Sequence, residues 1–179
     1  LLALPGRGDD LVPLAPIVEE FRARFQHVIV LGTGGSSLGG QTLVALADSG
    51  IGQPQGAPKL IFLDNIDPDT FDALHAAVDW RRAGLIAISK SGTTAETLTQ
   101  FLTLLPKLKM AQGAAHGRHV VVITEPGDNP MRRIAASMGA RVLEHDPGIG
   151  GRYSALSLVG LLPALIAGVD ANEVRRGAL

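Results

Sequence analysis

Five short apolar runs punctuate the chain, at residues 28–31, 60–63, 85–89, 120–124 and 141–144. The first four are nearly unbroken in Val, Ile, Leu or Phe, the pattern of strands covered on both faces rather than one. Segments with helical spacing lie between them. Ile17, Phe21 and Phe25 mark one, with Pro13 and Pro16 near its start; Leu98, Phe101, Leu102 and Leu105 mark a second; Met131, Ile134, Ala135 and Met138 mark a third. Alternation of this kind predicts a three-layer α/β domain around a parallel sheet of about five strands, joined by right-handed crossovers.

Composition narrows the picture. The 179 residues fit one domain, with 46% hydrophobic but only 4% aromatic residues and 22 glycines, so core volume must come from aliphatic side chains. Sixteen basic residues oppose 17 acidic ones without a long run of either sign, which speaks against nucleic-acid or anionic-membrane binding. There is no cysteine, so disulfides and thiolate metal sites are excluded. The first residue is Leu1, and residues 1–4 are too few for a signal-peptide core. The longest apolar stretch, 155–169, is broken by Ser157, Gly160 and Pro163 and falls short of a bilayer span of ~20 residues. A soluble, cytoplasmic protein is expected.

At the C-terminal end, Asp170 and Glu173 have capping-box spacing, and the helix they open is expected to bury little before Leu179. The 155–169 stretch is apolar on almost every side, as in a helix buried all round. Cover from a missing segment or partner would account for both.

Two loops following strands look built for phosphate. Residues 89–97 read Ser89-Lys90-Ser91-Gly92-Thr93-Thr94-Ala95-Glu96-Thr97, five hydroxyls and a lysine in nine positions. Thr93 and Glu96 have capping-box spacing, so a helix is expected to begin near Thr94, and an anion ahead of it would meet free N–H groups and the positive end of the helix dipole. Residues 32–39, Gly32-Thr33-Gly34-Gly35-Ser36-Ser37-Leu38-Gly39, follow the first strand. They depart from the dinucleotide fingerprint G-x-G-x-x-G, since Ser37 takes its last position, and Asp64, 32 positions after Gly32, is too far on to hold a ribose. A tight turn exposing Gly35 and Ser36 to a sugar fits better. A third motif, Gly148-Ile149-Gly150-Gly151-Arg152-Tyr153-Ser154, follows the fifth strand. Glycines there bring a permanent cation close to a ligand, suited to an oxyanion and unsuited to general-base work. His27, His75, His116, His119 and His145 show no metal-ligand spacing. Residues 64–68 read as a strand end and helix cap, Glu125-Pro126 as a strand-end turn, and Trp80-Arg81-Arg82 as a surface corner.

In this order and at these separations, the three motifs resemble the N-terminal sugar isomerase (SIS) domain of the glucose-6-phosphate isomerase family. The similarity runs from about Val28 to Val169, and Gly150-Gly151-Arg152-Tyr153-Ser154 is its discriminating part. Ser91-Gly92 stands where animal members often carry Thr-Phe, a bacterial style. The resemblance implies a doubly wound, flavodoxin/Rossmann-like SIS domain at 27–169. A helical lead-in at 1–26 would precede it, and 170–179 would start a truncated helix leading to a missing C-terminal SIS domain. It implies that Ser89, Lys90, Ser91 and Thr94 surround a substrate phosphate with Thr97 nearby, that Gly35 and Ser36 lie against the sugar, and that Arg152 stabilises an enediolate. It implies glucose 6-phosphate and fructose 6-phosphate as substrates, no cofactor and no metal, and a homodimer in the full-length enzyme. The family's proton-shuttling glutamate, and its ring-opening histidine and lysine, match nothing here, so the isolated fragment is expected to be inactive. Two other readings stay open: a sugar-phosphate-sensing SIS module of a regulator, and a nucleotide-binding Rossmann domain.

Overall fold

The computed structural model describes residues 2–47 and 56–179; Leu1, on which the reading of the leader partly rests, lies outside them. Five strands, β1 (His27–Leu31), β2 (Lys59–Leu63), β3 (Ala83–Ile88), β4 (Val120–Thr124) and β5 (Arg141–Glu144), form one parallel sheet in the order β2-β1-β3-β4-β5. Alternate side chains of each strand enter different cores, because successive strand residues point to opposite faces. Val28, Val30, Ile86, Ile88, Val121 and Ile123 face one layer, which contains α1 (Ala15–Arg24), α2 (Gly35–Ala47) and α6 (Leu158–Ala167). Ile29, Leu31, Leu85, Ala87, Val120 and Val122 face the other, made of α3 (Pro68–Ala77), α4 (Ala95–Gln112) and α5 (Pro130–Met138). The three-layer, doubly wound architecture expected from the pattern is therefore present.

Boundaries differ from the expectation in informative ways. Strand β3 starts at Ala83, where small residues hide the pattern, and ends at Ile88; Ser89 N still donates to Ile123 O at 3.0 Å. Helix α4 starts at Ala95 with Thr94 as N-cap. The expected Thr93–Glu96 capping box does not form, because the Thr93 hydroxyl pairs with Ser91 at 2.8 Å. Asp67 caps α3 by accepting from Thr70 N at 3.0 Å. Trp80 is half-buried against the α3–α5 core rather than standing out as a surface corner, and its carbonyl accepts from Gln112 at 2.8 Å.

The apolar helix α6 needs no outside cover. Leu161, Leu162, Ala164 and Ile166 are fully buried beneath α1, α2 and the sheet. A short helix α7 (Ala171–Arg176) follows, with Asp170 accepting from Asn172 N and Glu173 N. Glu173 pairs with Arg176 instead of returning to Asp170, so half of the capping box forms. Far from burying little, α7 sinks Arg175 to 1% exposure. Its guanidinium donates to both carboxylate oxygens of Asp10 (2.7 and 2.8 Å), to Arg7 O (2.7 Å) and twice to Leu156 O (2.8 and 3.1 Å), closing the chain's two ends over the segment ahead of α6. Among the described residues, no helix is long and apolar enough to cross a membrane.

Two outcomes follow from these contacts. Asp10→Ala strands a buried guanidinium, so urea unfolding should show a loss of about 2–3 kcal/mol, below the full buried-pair value because Asp10 is partly open to water; a loss under about 0.5 kcal/mol would contradict the clasp. Burial lowers the pKa of His27, His75, His119 and His145 below the ordinary 6.5. His119 fits a neutral imidazole, with Nδ1 donating to Ala83 O at 3.3 Å and Nε2 accepting from Arg24 Nη2 at 3.1 Å. Below pH 6.5 the unfolded chain then binds more protons than the folded one, so stability rises with pH there. Melting temperature should be flat above about pH 7.5 and decline from about 6.5 to 5.5; a rise on acidification would contradict the assignment.

Candidate functional site

The sheet reverses direction at its centre. From β1 the chain moves outward to β2, and from β3 it moves the opposite way to β4, so the loops leaving these two neighbours diverge and open a crevice at their carboxyl ends. Residues 32–39 leave β1 and residues 89–97 leave β3, and in the ladder Leu31 stands beside Ala87. The two candidate cradles therefore flank the switch point of the fold.

The third motif is brought to the same place by a backbone contact. A Cβ added to Gly35 would lie 2.1 Å from Gly151 O and 2.9 Å from Arg152 N, so only glycine lets the start of α2 meet this peptide. The single Ser154 hydroxyl hydrogen is shared between two acceptors at the meeting, Gly151 O at 2.7 Å and Gly35 O at 3.1 Å. Residues Gly151–Tyr153 form a single 3-10 turn, and Ser157 then caps α6. Arg152 is exposed on that turn, without an ion pair or side-chain hydrogen bond among the described residues. Ser36 is half-buried beside Gly35, while Ser37 is buried and accepts from Gln41 at 2.6 Å.

The second loop is anchored from below. Gly92 has φ +67°, and a Cβ there would meet Asn129 Oδ1 at 2.1 Å. Asn129 Oδ1 caps α5 through Arg132 N at 3.0 Å, and its amide donates to Thr124 Oγ1 at 3.2 Å; Thr124 in turn donates to Lys90 O at 3.2 Å. Above this floor the hydroxyls are paired with one another: Ser89 with Thr94 at 2.8 Å, Ser91 with Thr93 at 2.8 Å. Each such pair holds one hydroxyl hydrogen free to turn toward an acceptor. The first bond of α4 runs from Leu98 N to Thr94 O, and no side chain caps the three N–H groups before it. Donors left uncapped among the described residues stand at the positive end of an 18-residue helix, where an anion would be favoured.

Ser89, Ser91 and Thr94 are thus brought together at the start of α4, and Gly35, Ser36 and Arg152 are brought together where the β1 loop meets the 3-10 turn. Thr97 is fully buried, its Oγ1 without a partner. The Lys90 ammonium turns to Pro147 O at 2.8 Å and Glu125 Oε1 at 3.3 Å. Sequence reasoning missed Asn129, Thr124 and Arg175 as supports and Glu125 as the partner of Lys90. Asn129-Pro130 was readable as a helix start, but nothing local told that its side chain would sit under Gly92.

A doubly wound, all-parallel domain with glycine- and hydroxyl-rich loops at its switch point belongs to a class, the sugar isomerase (SIS) fold. The same fold occurs in the sugar isomerase domain of an RpiR transcription factor from Sphaerobacter thermophilus (TM-score 0.54, 20% identity, 92% of this chain and 81% of that one). The phosphoglucose isomerase family model matches residues 20–178, and the chain belongs to that family. It is 33% identical over 175 residues to the glucose-6-phosphate isomerase of Carboxydothermus hydrogenoformans, covering 95% of this chain and 38% of that protein. To a glucose-6-phosphate isomerase of Thermus thermophilus it is 37% identical over 164 residues, covering 91% and 36%. The crystal structure of a Chlamydia trachomatis glucose-6-phosphate isomerase superposes with a TM-score of 0.75 at 28% identity, over 93% of this chain and 31% of that one. The chain spans well under half the length of these relatives.

Gly35→Ala tests the meeting of the first and third motifs. Forcing a methyl against Gly151 should cost about 1–3 kcal/mol in urea unfolding. Unchanged stability would mean that the two segments do not touch.

Proposed function

We propose that this chain is the phosphate-binding half of an aldose–ketose isomerase that interconverts glucose 6-phosphate and fructose 6-phosphate. What supports the reading is an uncapped helix start with paired hydroxyls after β3, beside the switch point, and an arginine turn held against the β1 loop with no ion pair for Arg152 among the described residues. A phosphate dianion would take hydrogen bonds from the α4 N–H groups and from Ser89, Ser91 and Thr94, with Thr97 behind them and Lys90, whose ammonium is shared with Pro147 O and Glu125, lending only part of its charge. Charge-assisted bonds of this kind contribute roughly 1.5–3 kcal/mol each. The sugar would then extend toward Gly35 and Ser36, which places C1 and C2 beside Arg152.

Moving a proton between C2 and C1 builds negative charge on the enediolate oxygens. The Arg152 guanidinium, without a carboxylate partner among the described residues, would meet that charge as it forms; a preorganised donor of this type is worth about 3–4 kcal/mol of barrier. In this reading no metal or redox cofactor takes part. The proton-carrying base and the ring-opening groups lie in a second SIS domain beyond this chain, in agreement with its span of 36–38% of those relatives. The full-length enzyme would be a cytoplasmic homodimer. Glu96, exposed on the first turn of α4, has no assigned role as that base.

The test uses the full-length protein. Arg152→Ala should cut kcat by about 10²–10³ while KM changes less than about threefold, because the charge it meets develops only in the transition state. Unchanged turnover would remove Arg152 from the mechanism. Thr94→Val should weaken glucose 6-phosphate binding by roughly tenfold; unaltered affinity would count against the cradle. The 179-residue chain alone should bind the sugar phosphate without turning it over, and sustained turnover would place the base within it.

A further inference from the structure

Lys90 is the basic residue of the phosphate loop, yet its ammonium is committed elsewhere. It donates to Pro147 O at 2.8 Å and stands 3.3 Å from Glu125 Oε1. Pro147 lies on the segment running from β5 to Arg152, and Glu125 directly follows β4. The backbone of Lys90 is held at the same point: its carbonyl accepts from Glu125 N at 2.9 Å and Thr124 Oγ1 at 3.2 Å. One cation therefore joins three chain segments at the carboxyl ends of β3, β4 and β5.

The surroundings keep it there. His145 is buried, with Nδ1 3.0 Å from Asp146 O and Nε2 without a partner. A carbonyl only accepts, so Nδ1 carries a proton, and burial with Nε2 unpartnered among the described residues favours the neutral ring. Burial holds the His145 pKa down and the Lys90 charge adds to it, against the hydrogen bond to Asp146 O and the carboxylates of Glu125 and Asp146. A neutral imidazole leaves the Glu125 carboxylate to Lys90. Asp146 is occupied by Gly148 N at 2.8 Å and Arg7 at 3.5 Å, which fixes the far side of the same turn.

We propose that Lys90 is a positioning residue that couples the phosphate loop to the arginine loop. Its ammonium holds Pro147, Glu125 holds the ammonium on Pro147, and the intervening residues 148–151 set where Arg152 stands relative to the phosphate. This rests on the reading of the crevice as one substrate site. A point charge on a flexible stem suits the task, since it serves a carbonyl and a carboxylate at once. A dianion bound at the start of α4 would compete with Glu125 for that charge. Glu125 thus keeps phosphate affinity below what a free lysine would give, in exchange for a fixed arginine loop.

The experiment pairs amide hydrogen exchange with titration by inorganic phosphate, on the unaltered chain and on Lys90→Met, Lys90→Arg and Glu125→Gln. Lys90→Met should speed exchange in the 148–153 segment at least tenfold while amides of β1 and β4 keep their protection, and Lys90→Arg should restore most of it. Glu125→Gln should speed the same segment severalfold and tighten phosphate binding about three- to tenfold, since the ammonium is released to the anion. In the full-length enzyme Glu125→Gln should lower kcat without raising KM. Unchanged exchange in Lys90→Met, or phosphate binding that stays level or weakens in Glu125→Gln, would overturn the coupling. If the unaltered chain binds neither inorganic phosphate nor glucose 6-phosphate, the substrate-site reading fails, while the exchange comparison still decides whether Lys90 holds the arginine loop.

Discussion

The backbone contact between Gly35 and Gly151 is the constraint on which the rest of the site depends. Gly35 opens the helix after β1, an interior strand of the sheet, and Gly151 opens the turn that carries Arg152 after the edge strand β5. Three strands' width would otherwise separate them. Without a Cβ at Gly35 the two segments close to van der Waals range, and Ser154 ties both carbonyls to one hydroxyl. Sheet topology alone brings the β1 and β3 loops together; this contact adds the arginine.

Electrostatics underlies the proposed preference of the crevice for anions. Thr94 occupies an N-cap position, where a hydroxyl ordinarily accepts from the helix's own N–H groups. Here it pairs with Ser89 instead, and the donors stay open. The helix forgoes a cap worth about 1 kcal/mol, a local loss offset by the packing of Phe101, Leu104 and Leu108 in the core. In the proposed site the exposed Arg152 guanidinium would complete the field. Supports hold both sides rigid: Asn129 beneath Gly92, and Arg175 behind Leu156. Preorganisation of this kind lets the donors act without rearranging when charge develops.

Much of this was legible in the chain. The four strongest strands announced themselves because burial on both faces leaves no polar position to blur the run, and the three motifs stood at strand ends as the topology requires. The hydroxyl-rich loop was readable as a helix start, although its cap was misplaced by one residue: spacing shows which hydroxyls lie near a helix start, not which partner each chooses. Arg175 was missed for a different reason. Its burial depends on Asp10 and Arg7, more than 160 positions away, and no local pattern marks a long-range ion pair. The apolar helix α6 suggested an absent partner because its cover, α1 and α2, lies far off in sequence. Glu125 beside Lys90 was hidden in the same way, by a contact between two strand ends.

The central claim is that one crevice holds the phosphate and the arginine together. A crystal structure of this chain with glucose 6-phosphate tests it most directly. The account predicts the phosphate within hydrogen-bonding reach of Thr94, Ser89 and the first N–H groups of α4, with the sugar carbons C1 and C2 on the Arg152 side. A phosphate bound elsewhere on the surface, or a sugar pointing away from Gly35 and Arg152, would contradict it.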